Sequence, residues 1–218
     1  MNLFEKASVI RYHRHRIREF HGRTVEALGW RGQESQLRRF QVLLQLGDFS
    51  GCSLLDAGCG YGDLKGFLDQ YCLEFSYLGL DQMPEFINEA KARYGSRPAT
   101  GFYCADFTQV ELPRLDYVIA SGAFCYRSGN PGHYFSTIRK LFAAAKNALA
   151  FNMLDAAVFQ QHDLLTGHDR GAVMAFCRSL ASRVESIGGY LDDDFTVFMY
   201  RDAPMCSKPV LLMGENRQ

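Results

Sequence analysis

The sequence predicts an α/β fold: a doubly wound, mostly parallel seven-stranded sheet with an antiparallel last strand, preceded by an N-terminal helical cap. Three observations predict it. From Ser53 onward, short apolar runs alternate with segments at helical spacing, the rhythm of βαβ units. Three glycines, Gly58, Gly60 and Gly62, stand between the first such run and the first helix. The last two strand candidates, Arg183–Ile187 and Phe195–Tyr200, are joined by a connection too short for a crossover helix, so they pair antiparallel.

The elements follow in order. Residues 1–50 form the cap, rich in Arg, His and Gln; Leu37, Phe40, Val42, Leu43, Leu44 and Leu46 mark an amphipathic helix ending near Gly47. Residues 51–218 form the sheet domain. Ser53–Ala57 (SLLDA) reads as a strand, Asp63–Tyr71 as a helix and Ser76–Leu80 (SYLGL) as a strand. Pro84–Tyr94 is a helix because proline suits its first turn and good helix formers follow. Gly101–Cys104 and Leu115–Ala120 are strands, His133–Lys146 a helix, Asn147–Met153 a strand and Gly171–Leu180 a helix.

Composition narrows the function classes. The 218 residues are enough to bury a sizeable core, and 47% hydrophobic with 22% charged residues suits a globular chain. Lys+Arg and Asp+Glu both number 24, so no net charge draws the protein to nucleic acid or an anionic membrane. No apolar run approaches the roughly 18 residues of a membrane span. The N-terminus, MNLFEKASVIRYHRHR, lacks the apolar stretch of a secretory signal. The 7 cysteines are scattered with no C-x-x-C pair and read as reduced thiols, which points to the cytoplasm.

Four segments carry chemistry. In Leu54–Leu64 (LLDAGCGYGDL) a strand runs into Asp56 and then the glycines, which let backbone approach a ligand at the N-terminus of the following helix. Asp81 ends the second strand, 21 residues after Gly60, where a carboxylate accepts both hydroxyls of a ribose; it could also cap the helix at Pro84. Cys104–Phe107 (CADF) sets a carboxylate beside an aromatic ring, suited to the edge and face of adenine. Asp116–Phe124 (DYVIASGAF) ends in small residues that open the crevice at the strand ends.

In these four motifs, in this order over about Ser53–Asn152, the chain resembles the class I, Rossmann-like S-adenosylmethionine-dependent methyltransferases. The run ESQLRRF before LLDAGCG resembles the N-terminal helix of a bacterial branch whose substrates are mostly unassigned. The resemblance implies S-adenosyl-L-methionine as cofactor and S-adenosyl-L-homocysteine as product. It implies that Gly58 and Gly60 contact the methionine and ribose portion and that Asp56 orients the methionine amine. Asp81 would hold the ribose, Gln82 and Met83 would lie near the adenine, and Asp106 and Phe107 would hold its edge and face. Ser121 would face the methionine end through its backbone. Arg38 or Arg39 would reach the cofactor carboxylate, or else form the solvated side of their helix. The ASGAF segment lacks the acidic or Asn residue followed by Pro-Pro-aromatic of enzymes that methylate DNA amino groups, and no Pro-Cys nucleophile stands there.

A hydroxyl acceptor needs a base. Candidates are Tyr126, His133, His162 and His168, although the ordinary surface-loop reading is the favoured one for each. His162 and His168 with Asp163 and Asp169 match no standard zinc spacing, so no metal is expected. Arg11–Arg23 is locally basic: a solvated cap, a lid over the cofactor, or a grip on an anionic acceptor. The expected acceptor is a small molecule. The alternatives are RNA held by the basic N-terminus, a module that binds cofactor without turnover, and an NAD-dependent oxidoreductase, whose G-x-G-x-x-G this chain does not match.

Overall fold

The computed structural model describes residues 1–21, 25–160 and 162–202. Its seven strands are β1 (Ser53–Ala57), β2 (Ser76–Asp81), β3 (Thr100–Cys104), β4 (Leu115–Ala120), β5 (Ala145–Leu154), β6 (Arg183–Gly188) and β7 (Asp194–Tyr200). They form one sheet in the order β3-β2-β1-β4-β5-β7-β6. β1 to β5 are parallel, and β7 runs antiparallel to both β5 and β6, as the short connection requires. The strand order turns back between β1 and β4, and it is beside that point that open α/β sheets bind ligands.

Side-chain alternation along each strand feeds two cores. Leu54, Tyr117 and Ile119 pack toward α2 (Gln33–Leu43), α3 (Asp63–Leu68) and α4 (Pro84–Tyr94). Their neighbours Leu55, Val118 and Ala120 pack toward α5 (His133–Ala144) and α6 (Arg170–Arg178). A third cluster lies over the strand ends. There Ile10, Ile17 and Phe20 of the N-terminal segment meet Tyr61, Met83 and Phe86.

That N-terminal segment is a helix, α1 (Leu3–Glu19). Its start is a capping box: the Asn2 side chain accepts from the Glu5 N–H, and the Glu5 carboxylate accepts from the Asn2 N–H. The basic stretch identified in the sequence is therefore helical as far as Glu19; Gly22 and Arg23 lie outside the described residues. Several expected boundaries move by one to three residues, among them α6, which spans Arg170–Arg178. α5 ends at Ala144 and hands over directly to β5, because Ala145 already pairs with Leu115. α3 ends at Leu68 and continues to Tyr71 only as turns.

The turn after β1 places Gly62 at φ +76°, and a Cβ there would fall 2.9 Å from the Phe102 ring and 3.1 Å from Tyr94. Gly62→Ala is expected to cost about 3 kcal/mol, combining left-handed strain of roughly 1–2 kcal/mol with overpacking of roughly 1–3 kcal/mol. Thermal unfolding should show a fall of at least about 6 °C; an unchanged midpoint would refute the packing account.

Candidate cofactor site

β1 delivers Asp56 to its carboxyl end, and the chain then folds through Gly58 (φ +87°), Gly60 (φ +54°) and Gly62. The turn is stitched to the end of β2: Gly58 N–H and Cys59 N–H donate to the Leu80 carbonyl at 2.8 and 3.0 Å. Asp81 completes the stitch. Its Oδ2 accepts from Gly60 N–H at 3.0 Å and its Oδ1 from Met83 N–H at 2.8 Å. Each carboxylate oxygen has a second lone pair, so both can still accept from a diol. Burial raises Asp81 to about 6, against the backbone donors that lower it.

Asp56 is buried, and its Oδ2 accepts from the Tyr77 hydroxyl. Its Oδ1 is buried with no hydrogen-bond partner. An orphaned carboxylate oxygen of this kind is costly unless something binds to it. Burial raises Asp56 to about 7, with Asp81 and Asp63 adding to the rise and Tyr77 opposing it.

Asp56, Asp81 and the glycine turn line one pocket, together with Gln82, Met83, Asp106, Phe107 and Ser121. Asp106 is engaged on both oxygens: Oδ1 accepts from Thr108 and Oδ2 meets the Lys6 ammonium at 2.5 Å. Burial acts to raise Asp106, but these partners outweigh it and hold the group below the usual carboxylate range. The segment after β4 is fixed from β5, where Asn152 Oδ1 accepts from Gly122 N–H at 2.7 Å and Nδ2 donates to Ser121 Oγ at 3.3 Å. Trp30 closes this side: a Cβ on Gly122 would fall 2.5 Å from its ring.

Arg39 does not reach the pocket. Its guanidinium is buried against Asp194, with Nε 2.6 Å from Oδ2, donates to the Ser35 carbonyl, and stacks over Trp30 at 4.6 Å. Gln36, one turn earlier on α2, is the polar residue of that helix that lines the pocket. Arg38 is exposed and pairs with Glu34. The four base candidates separate as well. Tyr126 and His133 line the pocket, although His133 Nδ1 is bound by the Met1 amino group at 3.0 Å. His162 is exposed and its Nδ1 accepts from Leu164 N–H and Leu165 N–H. His168 is buried against Tyr134, with Nε2 2.8 Å from the Phe124 carbonyl. Neither of these last two lines the pocket.

The structure adds residues that the motifs did not show: Lys6, Tyr12 and His13 from α1, and Leu28 and Trp30 after it. The signal for His13 was its spacing. Val9 and His13 are the two buried residues of α1 and stand four apart, on one face of the helix.

The carboxylates give the site a pH dependence. Both Asp56 and Asp81 are raised in the folded chain, so the folded form keeps protons that the unfolded form has lost. Stability of the ligand-free protein should therefore fall as pH rises from the ordinary carboxylate range, about 4, to about 7. A cationic ligand favours the ionised forms. The thermal shift it produces should be larger at about pH 8 than at about pH 5.5, and equal shifts would contradict the assignment of these acids to the ligand.

The family model described as a methyltransferase domain matches residues 55–150, from the first strand through most of β5. Over those residues the chain carries a methyltransferase domain. It is 35% identical over 107 residues to the Mycobacterium tuberculosis methyltransferase-family protein Rv1506c, a match covering 47% of this chain and 63% of that protein. The match thus spans less than two thirds of that relative's length. Among solved structures, the fold is similar to that of magnesium protoporphyrin IX methyltransferase from Synechocystis, which was crystallised with S-adenosylhomocysteine. The TM-score is 0.63 at 16% identity, over 90% of this chain and 99% of that one. The small RNA methyltransferase HEN1 gives the same TM-score, 0.63, at 16% identity, over 78% of this chain and 25% of that one. Equal similarity to enzymes whose names point to a pigment and to RNA means that the fold does not select the acceptor.

Proposed function

We propose that this protein transfers a methyl group from S-adenosyl-L-methionine to a small-molecule acceptor. The observation that carries the reading is the orphaned, buried Asp56 Oδ1 in the same pocket as the glycine turn and Asp81. The cofactor supplies a methyl group already activated by a sulfonium charge, which leaves the protein to position, desolvate and, for a hydroxyl, deprotonate. Asp56 would bind the amine of the methionine portion, the group its free oxygen lacks. Asp81 would accept the two ribose hydroxyls while its backbone donors hold it in place. Asp106 would take the adenine amine on the oxygen it now shares with Lys6, with Phe107 against the ring. Gln36, rather than Arg39, would be the α2 residue nearest the carboxylate end.

A small acceptor is favoured over RNA by the state of α1. Arg14 is paired with Glu85, and Arg16 is bound to the Glu26 carbonyl and stacked on Tyr12 and Phe20. The helix lines the pocket with Lys6, Val9, Tyr12 and His13, and its two buried residues are Val9 and His13. Isothermal calorimetry tests the reading. S-adenosylmethionine and S-adenosylhomocysteine should both bind at one site per chain, and NAD should not. An absence of binding by either sulfur compound would end it. Affinity for tRNA that falls steeply with salt would move the acceptor assignment to RNA.

A further inference from the structure

Two side chains of the pocket lie outside the cofactor roles proposed above. His13 sits on the inner face of α1 with 5% exposure, and Tyr126 follows β4 on the facing wall. The Tyr126 hydroxyl lies 2.5 Å from His13 Nε2. The imidazole is held edge-on to Phe86 at 5.0 Å and to Tyr126 at 5.6 Å, so its direction is set by packing. Burial lowers His13 to about 4; Arg16 acts the same way, and the Ala27 backbone opposes both. A neutral imidazole has one nitrogen free to accept. Burial also pushes the Tyr126 phenol well above its usual value, with Cys125, Tyr12 and Asp81 adding to the rise. Tyr126 therefore keeps its proton, and its hydroxyl is the donor to Nε2 where the imidazole proton sits on Nδ1. The titratable and charged groups around the pair are Tyr12 and Arg16 on α1, Cys125 beside Tyr126, and Asp81 at the end of β2.

We propose that the acceptor is an uncharged hydroxyl compound, that Tyr126 is the catalytic residue taking its proton, and that His13 receives the Tyr126 proton through their hydrogen bond. This rests on the methyltransferase reading and names the acceptor class of the same pocket. The balance is simple. An acceptor oxygen lone pair forms the new bond to the methyl carbon, and the carbon–sulfur bond breaks with its electron pair left on sulfur. The acceptor proton passes to the Tyr126 oxygen while the Tyr126 proton passes to His13. One positive charge disappears from sulfur and one appears on the imidazole, so the pocket's net charge is unchanged. A histidine that resists protonation beside a sulfonium accepts a proton more easily once that charge is gone. The proton returns to water when the product leaves.

The walls around the pair fit an uncharged acceptor. They are Val9, Tyr12, Trp30, Cys125 and Leu165. The two nearby amino groups of the pocket, on Lys6 and at Met1, are already bound to Asp106 and His133.

Nitrogen-15 NMR of the histidine-labelled full chain tests the pair without turnover. His13 should be neutral from about pH 5.5 to about 8 with Nε2 unprotonated. Added catechol should move the Nε2 resonance in the wild type and not in Tyr126→Phe. A protonated Nε2 at pH 7 overturns the proposal, because His13 would then be the donor. A second arm supplies carbon-13 methyl-labelled S-adenosylmethionine with a cell metabolite extract. The label should appear as a methyl ether. Tyr126→Phe and His13→Gln should each slow its appearance at least about 100-fold, with calorimetric affinity for the cofactor within about threefold of wild type. Glutamine can still accept the Tyr126 hydrogen bond but cannot take its proton, so a merely structural latch would survive in His13→Gln. Label on nitrogen, sulfur or a carboxylate, or in no product, overturns the assignment. A wild type that binds no cofactor is instead the failure of the methyltransferase reading.

Discussion

Asp81→Asn should weaken S-adenosylmethionine binding by about 100-fold or more while leaving the melting temperature nearly in place. The binding loss follows from the geometry. Asp81 lies at the end of β2 with both oxygens directed by backbone donors, from Gly60 and from Met83. A hydrogen bond to a charged group contributes roughly 1.5–3 kcal/mol, and a ribose would make two of them. Losing about 3 kcal/mol is about two decades in Kd. The small effect on folding follows from two opposed changes. Asparagine removes a buried charge that the fold tolerates poorly, since burial holds Asp81 up at about 6. It also turns one acceptor into an NH2 group facing a backbone N–H, which leaves that donor unpaired. Calorimetry and thermal unfolding on the same sample separate the two quantities. A variant that binds as the wild type does would remove Asp81 from the cofactor site.

Much of this site was readable because strand ends are fixed by local pattern. The apolar runs at Ser53–Ala57 and Leu115–Ala120 and the proline-led helix Pro84–Tyr94 have in the structure the limits their sequence implies. With the strands placed, parallel register alone brings Asp56 and Asp81 to the same edge, since Asp56 pairs with Gly79 and Ala57 with Leu80. What was not readable depends on partners far along the chain. The Ala-Ala-Lys stretch at 144–146 favours helix by propensity, yet Ala145 is claimed by its pairing with Leu115. The basic character of α1 suggested a solvated surface. His13 acquires its setting from Tyr126, 113 positions on, and Lys6 from Asp106, 100 positions on. Local periodicity marks His13 as an inward residue but cannot say what it meets.

Arg39 shows the same limit and gives the second large effect. Its place beside Phe40 on α2 fits either a cofactor ligand or a solvated face; the structure gives it Asp194, 155 positions away. Both members are buried, and Asp194 also accepts from the Tyr190 hydroxyl at 2.8 Å. Removing one partner of a buried pair costs roughly 3–5 kcal/mol, because the other charge is left without compensation. Arg39→Met should therefore lower the melting temperature by about 6–20 °C. It should also loosen Trp30, which the guanidinium covers and which closes the pocket at Gly122. The deficit has a pH signature. Burial already raises Asp194 to about 6 even with Arg39 opposing it, and without Arg39 the carboxyl rises further. A folded-state value above the unfolded one means that stability is lost as pH rises, so the variant should be closest to wild type near pH 5 and furthest from it near pH 8. Arg39→Met combined with Asp194→Asn should recover part of the loss, since no unpaired charge remains. If Arg39 held the cofactor carboxylate instead, Arg39→Met would keep its melting temperature and lose cofactor affinity, and the double substitution would recover nothing.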